Sequence, residues 1–290
     1  MVLIASAAGV SASLGWAGGS LLAHGPAQRL GSFTFTWIQL AACAMILCAA
    51  CGVLDLWRHV AWQHWPAFGV SALVGILAGN LAMIACLRIG GPRRTELLLS
   101  FKAPFVALMA FFWLGEQLSP GDLGGASLVL AGVLLAIAPG SGDSQDHTLW
   151  KAAALGVFAT FCQAIGFLSL KPALTDGTPV LAASAIRLGF AALLITLAGA
   201  AVMSRRRALS QVPMGLAMRT VVPGFLGYGV SSTLLLFAFT HLEAGLAAVL
   251  GSLSPVLVLP LLWAATGELP NTGGVAGAGL AVAGGAIILL

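Results

Sequence analysis

Two basic residues, Lys102 and Arg187, lie well inside long apolar stretches of the sequence. If each stretch is a membrane helix rising about 1.5 Å per residue, both residues lie roughly 10 Å below its end. A charge at that depth is costly unless it faces water or a partner, so such residues are candidate ligand-binding groups. A carboxylate or a phosphate would be a suitable partner. The structural alternative is that Arg187 bonds nearby carbonyls and Lys102 extends towards the membrane interface.

Further polar side chains within apolar stretches could complete a site for a polar ligand. They supply hydrogen-bond donors and acceptors, although each could instead bond only a neighbouring helix. The tryptophan in the first stretch could stack on an aromatic substrate or serve packing alone. Besides the two cations, the candidate binding residues are Trp16, Gln39, Asn80, Gln163, Tyr228, Ser231, Ser232 and Ser254.

Two prolines, Pro104 and Pro255, interrupt apolar runs that correspond in the two halves of the chain. Each removes a helical hydrogen bond and so frees a carbonyl, that of Ser100 or of Gly251, within the membrane. Interrupted helices at matching positions of two repeats indicate a substrate site and a gating element. A kink that serves packing alone explains the prolines equally well.

The remaining reactive residue types form no catalytic or metal-binding pattern. The five histidines are dispersed, and Cys48-Ala-Ala-Cys51 lies inside an apolar stretch, which favours buried packing over redox chemistry. No nucleotide-binding loop or metalloprotease motif occurs in the sequence. We therefore predict no enzyme activity, no metal site and no cofactor. We expect all nine acidic residues at segment ends or in connections: Asp55, Glu96, Glu116, Asp122, Asp143, Asp146, Asp176, Glu243 and Glu268.

The composition requires that lipid surrounds most of the chain. Hydrophobic residues make up 59% of it and charged residues 8%, with a mean hydropathy of +1.01. A soluble domain has about 25% charged residues. Ten apolar segments, most of them long enough to cross a hydrocarbon core about 30 Å thick, are predicted as transmembrane helices. They cover residues 3–23, 32–54, 67–87, 95–114, 121–139, 152–172, 180–203, 220–240, 244–265 and 273–290.

An internal repeat divides the ten segments into two sets of five. The pair Gly115-Glu116 is followed by Gly125 and Gly132, and the same pattern recurs 152 residues later at Gly267-Glu268, Gly277 and Gly284. We interpret both Gly-Glu pairs as turns that end a helix. Residues 3–139 and 152–290 are thus predicted as five-helix repeats joined by a linker at 140–151.

Five spans is an odd number, so the second repeat must enter the membrane in the opposite orientation. The fold class predicted is therefore an all-α membrane protein of ten transmembrane helices in two inverted repeats. The distribution of basic residues agrees with this inversion. In the first half they favour the connection between segments three and four over that between two and three, and in the second half the connection between segments seven and eight over that between eight and nine. Across the chain they favour odd-numbered connections, which places the termini outside by the positive-inside rule.

The motifs resemble those of EamA-type members of the drug/metabolite transporter superfamily. The matching runs are 91–100, 104–116 and 252–255, together with the second Gly-Glu pair. The resemblance implies that helices one to four and six to nine enclose a site, with helices five and ten peripheral. It also implies cytoplasmic termini, against the charge count, so absolute orientation stays open. The mid-membrane glutamate that small multidrug-resistance relatives carry in their first helix is missing here.

The sequence therefore predicts a secondary transporter, an exporter of a small polar or amphipathic metabolite by alternating access. An amino acid or a related carboxylate is favoured, because both deep charges are cationic. Without an acid in the path we expect facilitated diffusion or exchange. We predict a multi-pass protein of a bacterial inner membrane that binds lipid and no nucleic acid, as a monomer or alternatively a homodimer. The alternatives are a membrane-embedded enzyme and a non-transporting membrane subunit.

Overall fold

The computed structural model describes residues 1–115, 120–137, 146–201, 212–267 and 272–288, and all regular structure within these ranges is helical. In lipid every backbone polar group must find its partner within the protein, and a helix satisfies them locally. Six of the described helical stretches are long and apolar enough to cross a membrane. The prediction of an all-helical membrane protein is confirmed.

The helices, which we number in chain order, are joined by short turns and by two π-helical segments. The π-helical segments are Ser71–Ala78, between α2 and α3, and Phe225–Ser231, between α9 and α10. The α-helices are α1 (Val2–Val53), α2 (Trp65–Val70), α3 (Gly79–Leu99), α4 (Lys102–Leu114), α5 (Pro120–Ile137), α6 (Asp146–Leu168), α7 (Lys171–Thr175), α8 (Val180–Ala200), α9 (Met214–Gly224), α10 (Ser232–His241), α11 (Ala244–Leu250), α12 (Ser254–Thr266) and α13 (Thr272–Ile288).

Two glycines turn the chain where the sequence predicted separate helices. Gly31 within α1 has φ 74°, and Gly91 within α3 has φ 72°. Glycine adopts positive φ without the steric cost that a Cβ would bring. Because one residue makes each turn, α1 passes through both of the first two predicted segments. Likewise α3 contains the end of the third segment and the start of the fourth, so the helix boundaries differ from those predicted.

The fourth and ninth predicted segments are each interrupted by a short break in the helix. The helix stops at Leu99 and resumes at Lys102; it stops again at Leu250 and resumes at Ser254. We call these interruptions the first break and the second break. Pro104 and Pro255 lie in the first turn of the resumed helices. A backbone N–H in the first turn has no partner within the helix, so the prolines there remove no helical hydrogen bond.

Both resumed helices end at the glycine of the Gly-Glu pattern. Gly115, which follows α4, has φ 69°, and Gly267, which follows α12, has φ 73°. A glycine in this left-handed conformation is a common helix terminator. The geometry agrees with the interpretation of the pattern as a helix-ending turn. Glu116, Glu268, Asp143, the 205–207 arginines and most of the linker lie outside the described residues.

The two halves pack closely against each other. α1 contacts α8, α9 and the Phe225–Ser231 segment, while α6 contacts α3 and the Ser71–Ala78 segment. The main core cluster draws apolar side chains from both halves. α5 and α13 pack chiefly along each other. The helices around the breaks are therefore held between the halves.

Candidate functional site

Two adjoining cavities lie between the halves, beside the two breaks. The empty space is about 390 Å³ in the larger and about 260 Å³ in the smaller, and both values include space open to solvent. Both are bordered by Trp16, Met83 and Glu96. The larger is also lined by Gly19, Ser20, Ala23, Gln39, Ile84, Leu87, Thr95, Pro223, Gly227 and Tyr228. The smaller is also lined by Leu99, Ser100, Lys102, Gln163, Gly251, Ser252, Ser254 and Pro255.

The structure brings most of the candidate residues to these cavities, but not all. Asn80 is fully buried and donates a hydrogen bond from Nδ2 to Oε1 of Gln39, at 3.1 Å, so it positions a lining residue. Ser231 donates to the carbonyl of Leu226 within its own π-helical segment, at 2.8 Å. The candidate residues that do line the cavities are Trp16, Gln39, Lys102, Gln163, Tyr228, Ser254 and Pro255.

Lys102 is the first residue of α4 and is 2% exposed. Its Nζ lies 4.0 Å from the centroid of the Trp16 ring and 5.7 Å from that of Phe167, which are cation–π distances. Such burial argues against a side chain that extends to the membrane interface. Among the described residues it has no ion-pair partner within 4 Å, so its ammonium is available to a ligand in the smaller cavity.

Arg187 lies on α8 behind the ring of Phe167, and is 1% exposed. Its Cζ is 4.7 Å from the ring centroid, and among the described residues its Nε and Nη1 have no hydrogen-bond partner. The helices approach closely here, since a Cβ on Gly75 would lie 2.5 Å from Cα of Gly166. The guanidinium is thus enclosed, outside the residues that line the cavities, and the alternative of carbonyl capping gains no support.

The ring of Phe167 separates the two cations and was not singled out from the sequence. It stacks on Phe239 with centroids 5.6 Å apart and meets Trp16 edge-on at 6.1 Å. These contacts fix the ring between Lys102 and Arg187. Phe167 is one of 14 phenylalanines, and no motif in the sequence distinguishes it from the others.

Glu96 corrects the expectation that all acidic residues lie at segment ends or in connections. It is 2% exposed and borders both cavities, flanked by Ser20 and Ser254. The turn at Gly91 starts the helix early, so Glu96 lies one turn inside it, on the side that faces α1. Since an acid does border the candidate path, the premise from which we expected facilitated diffusion or exchange is wrong.

Contacts between the halves close the end of the molecule that lies away from the turns at Gly31 and Gly91. His64 and Asp176 are joined by a hydrogen bond of 2.6 Å between Nε2 and Oδ2, and this bond holds the pKa of Asp176 below its usual value. Nearby, the backbone N–H of Ala61 donates to Oγ1 of Thr178 at 3.1 Å. We call this set of contacts the closed end. The larger cavity lies towards the other end, near the turns at Gly31 and Gly91.

A helical membrane protein with a charged cavity between two packed halves has an architecture that suits a small-molecule transporter. The chain is a member of the EamA-like transporter family, whose model matches residues 3–138 and 150–290. A comparison with curated proteins gave no sequence match. A crystal structure of another protein has the same fold, with a TM-score of 0.73 and 18% identity, over 98% of this chain and 95% of that one. The protein is therefore a multi-pass membrane transporter, of a family that is generally non-enzymatic.

Proposed function

We propose that this transporter exports a small polar or amphipathic metabolite that carries a carboxylate, with an amino acid or related compound favoured. The observation that carries the proposal is Lys102, a buried ammonium beside a cavity and next to a helix break. An unpaired charge in such a place is unfavourable for folding, and a ligand carboxylate compensates it. Arg187, enclosed behind Phe167, adds a second positive charge to the same region.

Matched contacts across the halves support ten spans in two inverted repeats and movement by alternating access. Gly9 and Ser13 of α1, in the first half, pack against Leu250 of the second half, just before the second break. Gly156 and Thr160 of α6, in the second half, pack in the same manner against Leu98 of the first half, just before the first break. The reciprocal contacts are those expected of repeats related by a two-fold axis in the membrane plane.

The charges around the larger cavity support loading from the cytoplasm. The turns at that end carry Arg29, Arg88, Arg93 and Arg94, whereas the closed end carries Arg58 and Lys171. Basic residues favour the cytoplasmic side. The proposal therefore has the cavity open to the cytoplasm of a bacterial inner membrane, with the closed end outside, in a chain that works as a monomer.

Counterflow in proteoliposomes tests the proposal. Vesicles holding the purified chain and an unlabelled neutral or acidic L-amino acid should accumulate the labelled form of that amino acid. Lys102→Gln should lose most of this exchange, while Lys151→Gln, at an exposed lysine, serves as the matched control and should keep it. Exchange that survives in Lys102→Gln would remove this residue from the site.

The same assay separates the alternative classes. Conversion of the labelled compound without exchange would favour a membrane-embedded enzyme. A folded chain that exchanges no compound in an unbiased set of metabolites would favour a non-transporting subunit. Exchange with a preference for compounds that lack a carboxylate would contradict the proposed substrate class.

A further inference from the structure

Glu96 is a buried carboxyl group that transport of a carboxylate does not require. It is 2% exposed, and among the described residues its Oε2 accepts no hydrogen bond. The side chains of Ser20 and Ser254 donate hydrogen bonds to the carboxyl group, and the charge of Lys102 acts on it from a distance. No ion pair within 4 Å joins it to a described basic residue. Burying a carboxylate without a cationic group in direct contact is unfavourable, so its presence beside a cavity indicates a ligand with a complementary group.

Glu96 and Lys102 border the same small cavity at opposite ends of the first break. They are six residues apart, which is roughly 9 Å of helical rise. The interruption between Leu99 and Lys102 keeps the carboxyl group on the end of one helix and the ammonium on the start of the next. The cavity therefore presents a negative and a positive group that do not neutralise each other by direct contact.

The second break shows that neither charge is needed for the backbone to break. The repeat offset of 152 residues places Ala248 opposite Glu96 and Ser254 opposite Lys102. Yet the helix stops and resumes in the same way at both breaks. Since an uncharged copy of the same structure exists in the same chain, the charges of the first copy serve a purpose beyond folding.

We infer that Glu96 binds the ammonium group of a substrate whose carboxylate binds Lys102, so that the site selects a zwitterion. The inference rests on the proposed function and deepens it. The rest of the smaller cavity has an apolar part and a polar part. Trp16, which lies against the Lys102 ammonium, forms the apolar part with Met83, Leu99 and Pro255, and the polar part is Ser100, Gln163, Ser252 and Ser254. The apolar part suits an apolar side chain of the substrate. The substrate class is then a neutral amino acid with an apolar side chain, bound through both of its charges.

The test compares L-leucine with 4-methylpentanoate, which has the same carboxylate and branched chain but lacks the ammonium group. Each compound is tested in proteoliposomes for its ability to compete with labelled L-leucine in counterflow and for its direct binding to the purified chain. The wild-type protein should bind L-leucine more tightly. In Glu96→Gln the affinity for L-leucine should fall about tenfold or more, since one member of a buried charge pair is lost. Affinity for 4-methylpentanoate should stay the same or improve.

Three further variants make the result specific. Glu96→Asp keeps the charge and should keep part of the preference for L-leucine, which a merely structural role would not predict. Glu243→Gln removes an exposed acid and should change neither affinity. Lys102→Gln should weaken both compounds, because both carry the carboxylate. Folding of each variant is checked by size-exclusion chromatography and thermal unfolding.

The outcomes separate this inference from the proposed function. If the wild-type chain exchanges 4-methylpentanoate as well as L-leucine, the carboxylate site stands and the ammonium site is overturned. If it binds neither compound, both ideas are overturned for this substrate class. If Glu96→Gln keeps the preference for L-leucine but loses accumulation driven by a pH gradient, Glu96 is a proton carrier and the inference is also overturned.

Discussion

The two helix breaks share a backbone arrangement but differ in chemistry. At the first break the carbonyl of Leu98 accepts a hydrogen bond from Oγ1 of Thr160, at 3.1 Å. At the second the carbonyl of Leu250 accepts one from Oγ of Ser13, at 2.6 Å. In both cases a hydroxyl on the first helix of one half satisfies a carbonyl of the other half, where the interrupted helix needs a partner.

The difference between the breaks is one of charge. Glu96 and Lys102 stand on either side of the first break, whereas Ala248 and Ser254 hold the equivalent positions at the second. Features that occur twice, such as the small residues, the hydroxyls and the terminal glycines, build the scaffold. Features that occur once therefore carry the chemistry, and the first break is the place to look for ligand recognition.

The largest effect should come from making the first break resemble the second. Lys102→Ser should lower transport about tenfold to a hundredfold, because a hydrogen bond to a charged group contributes about 1.5–3 kcal/mol. Ser254→Ala, at the equivalent position, should lower it only a few fold. Initial rates of counterflow at matched protein levels measure both. Equal losses in the two variants would show that the breaks do not differ in function.

A smaller effect should come from the close packing beside each break. A Cβ on Gly156 would lie 2.5 Å from Cδ1 of Leu98, and one on Gly9 would lie 2.8 Å from Cβ of Leu250. Gly156→Ala and Gly9→Ala should therefore each destabilise the fold by about 1–3 kcal/mol.

Thermal unfolding in detergent measures the packing effect. Gly25→Ala is the control, since a Cβ there meets no atom within 4 Å. It should leave stability unchanged or raise it slightly, because alanine favours the helix. Unfolding temperatures that are the same in all three variants would mean that the halves do not pack through these glycines.

The sequence predicted the helices around the two breaks better than the side chains that form the site between them. Apolar length identified the helices, and the repeated glycines identified the ends of α4 and α12, because both signals are local. The interruptions at the breaks were expected near Pro104 and Pro255. The single-residue turns and the π-helical segments were missed, since they depend on how glycine-rich helices fit against each other.

Sequence reasoning identified residues of the site where a charged or polar side chain stood alone in an apolar run. Lys102 stands alone in this manner, and the structure places it at the smaller cavity. Glu96 does not, because its burial depends on a turn at Gly91 that no periodicity reveals. Asn80 and Ser231 are polar residues of the expected type, but their hydrogen bonds to Gln39 and Leu226 appear only in three dimensions.

The hydroxyls that cross between the halves should have a still smaller effect. Ser13→Ala leaves the carbonyl of Leu250 without its partner and should cost about 1 kcal/mol of stability. Thr160→Val should cost a similar amount or less. The hydroxyl of Thr160 has a single proton, which it shares between the carbonyls of Leu98 and Gly156, the latter at 2.7 Å, so its bond to Leu98 is weaker. Unfolding in denaturant, followed by tryptophan fluorescence, measures both values. A much larger loss in Thr160→Val would show that the two breaks are not equivalent in structure.

The closed end lies far from both breaks and should give the smallest effect, which makes it a reference for them. The hydrogen bond from His64 lowers the pKa of Asp176, so the ionised carboxylate is favoured in the folded chain. A group whose pKa is lowered on folding stabilises the fold above its unfolded value, about 4, and this contribution is lost as the pH falls. Asp176→Asn should therefore reduce the loss of thermal stability between pH 5 and pH 3 to a small extent, because the contact is solvent-exposed. It should leave the preference for L-leucine over 4-methylpentanoate unchanged. A change in that preference would contradict the view that the charged break alone selects the substrate.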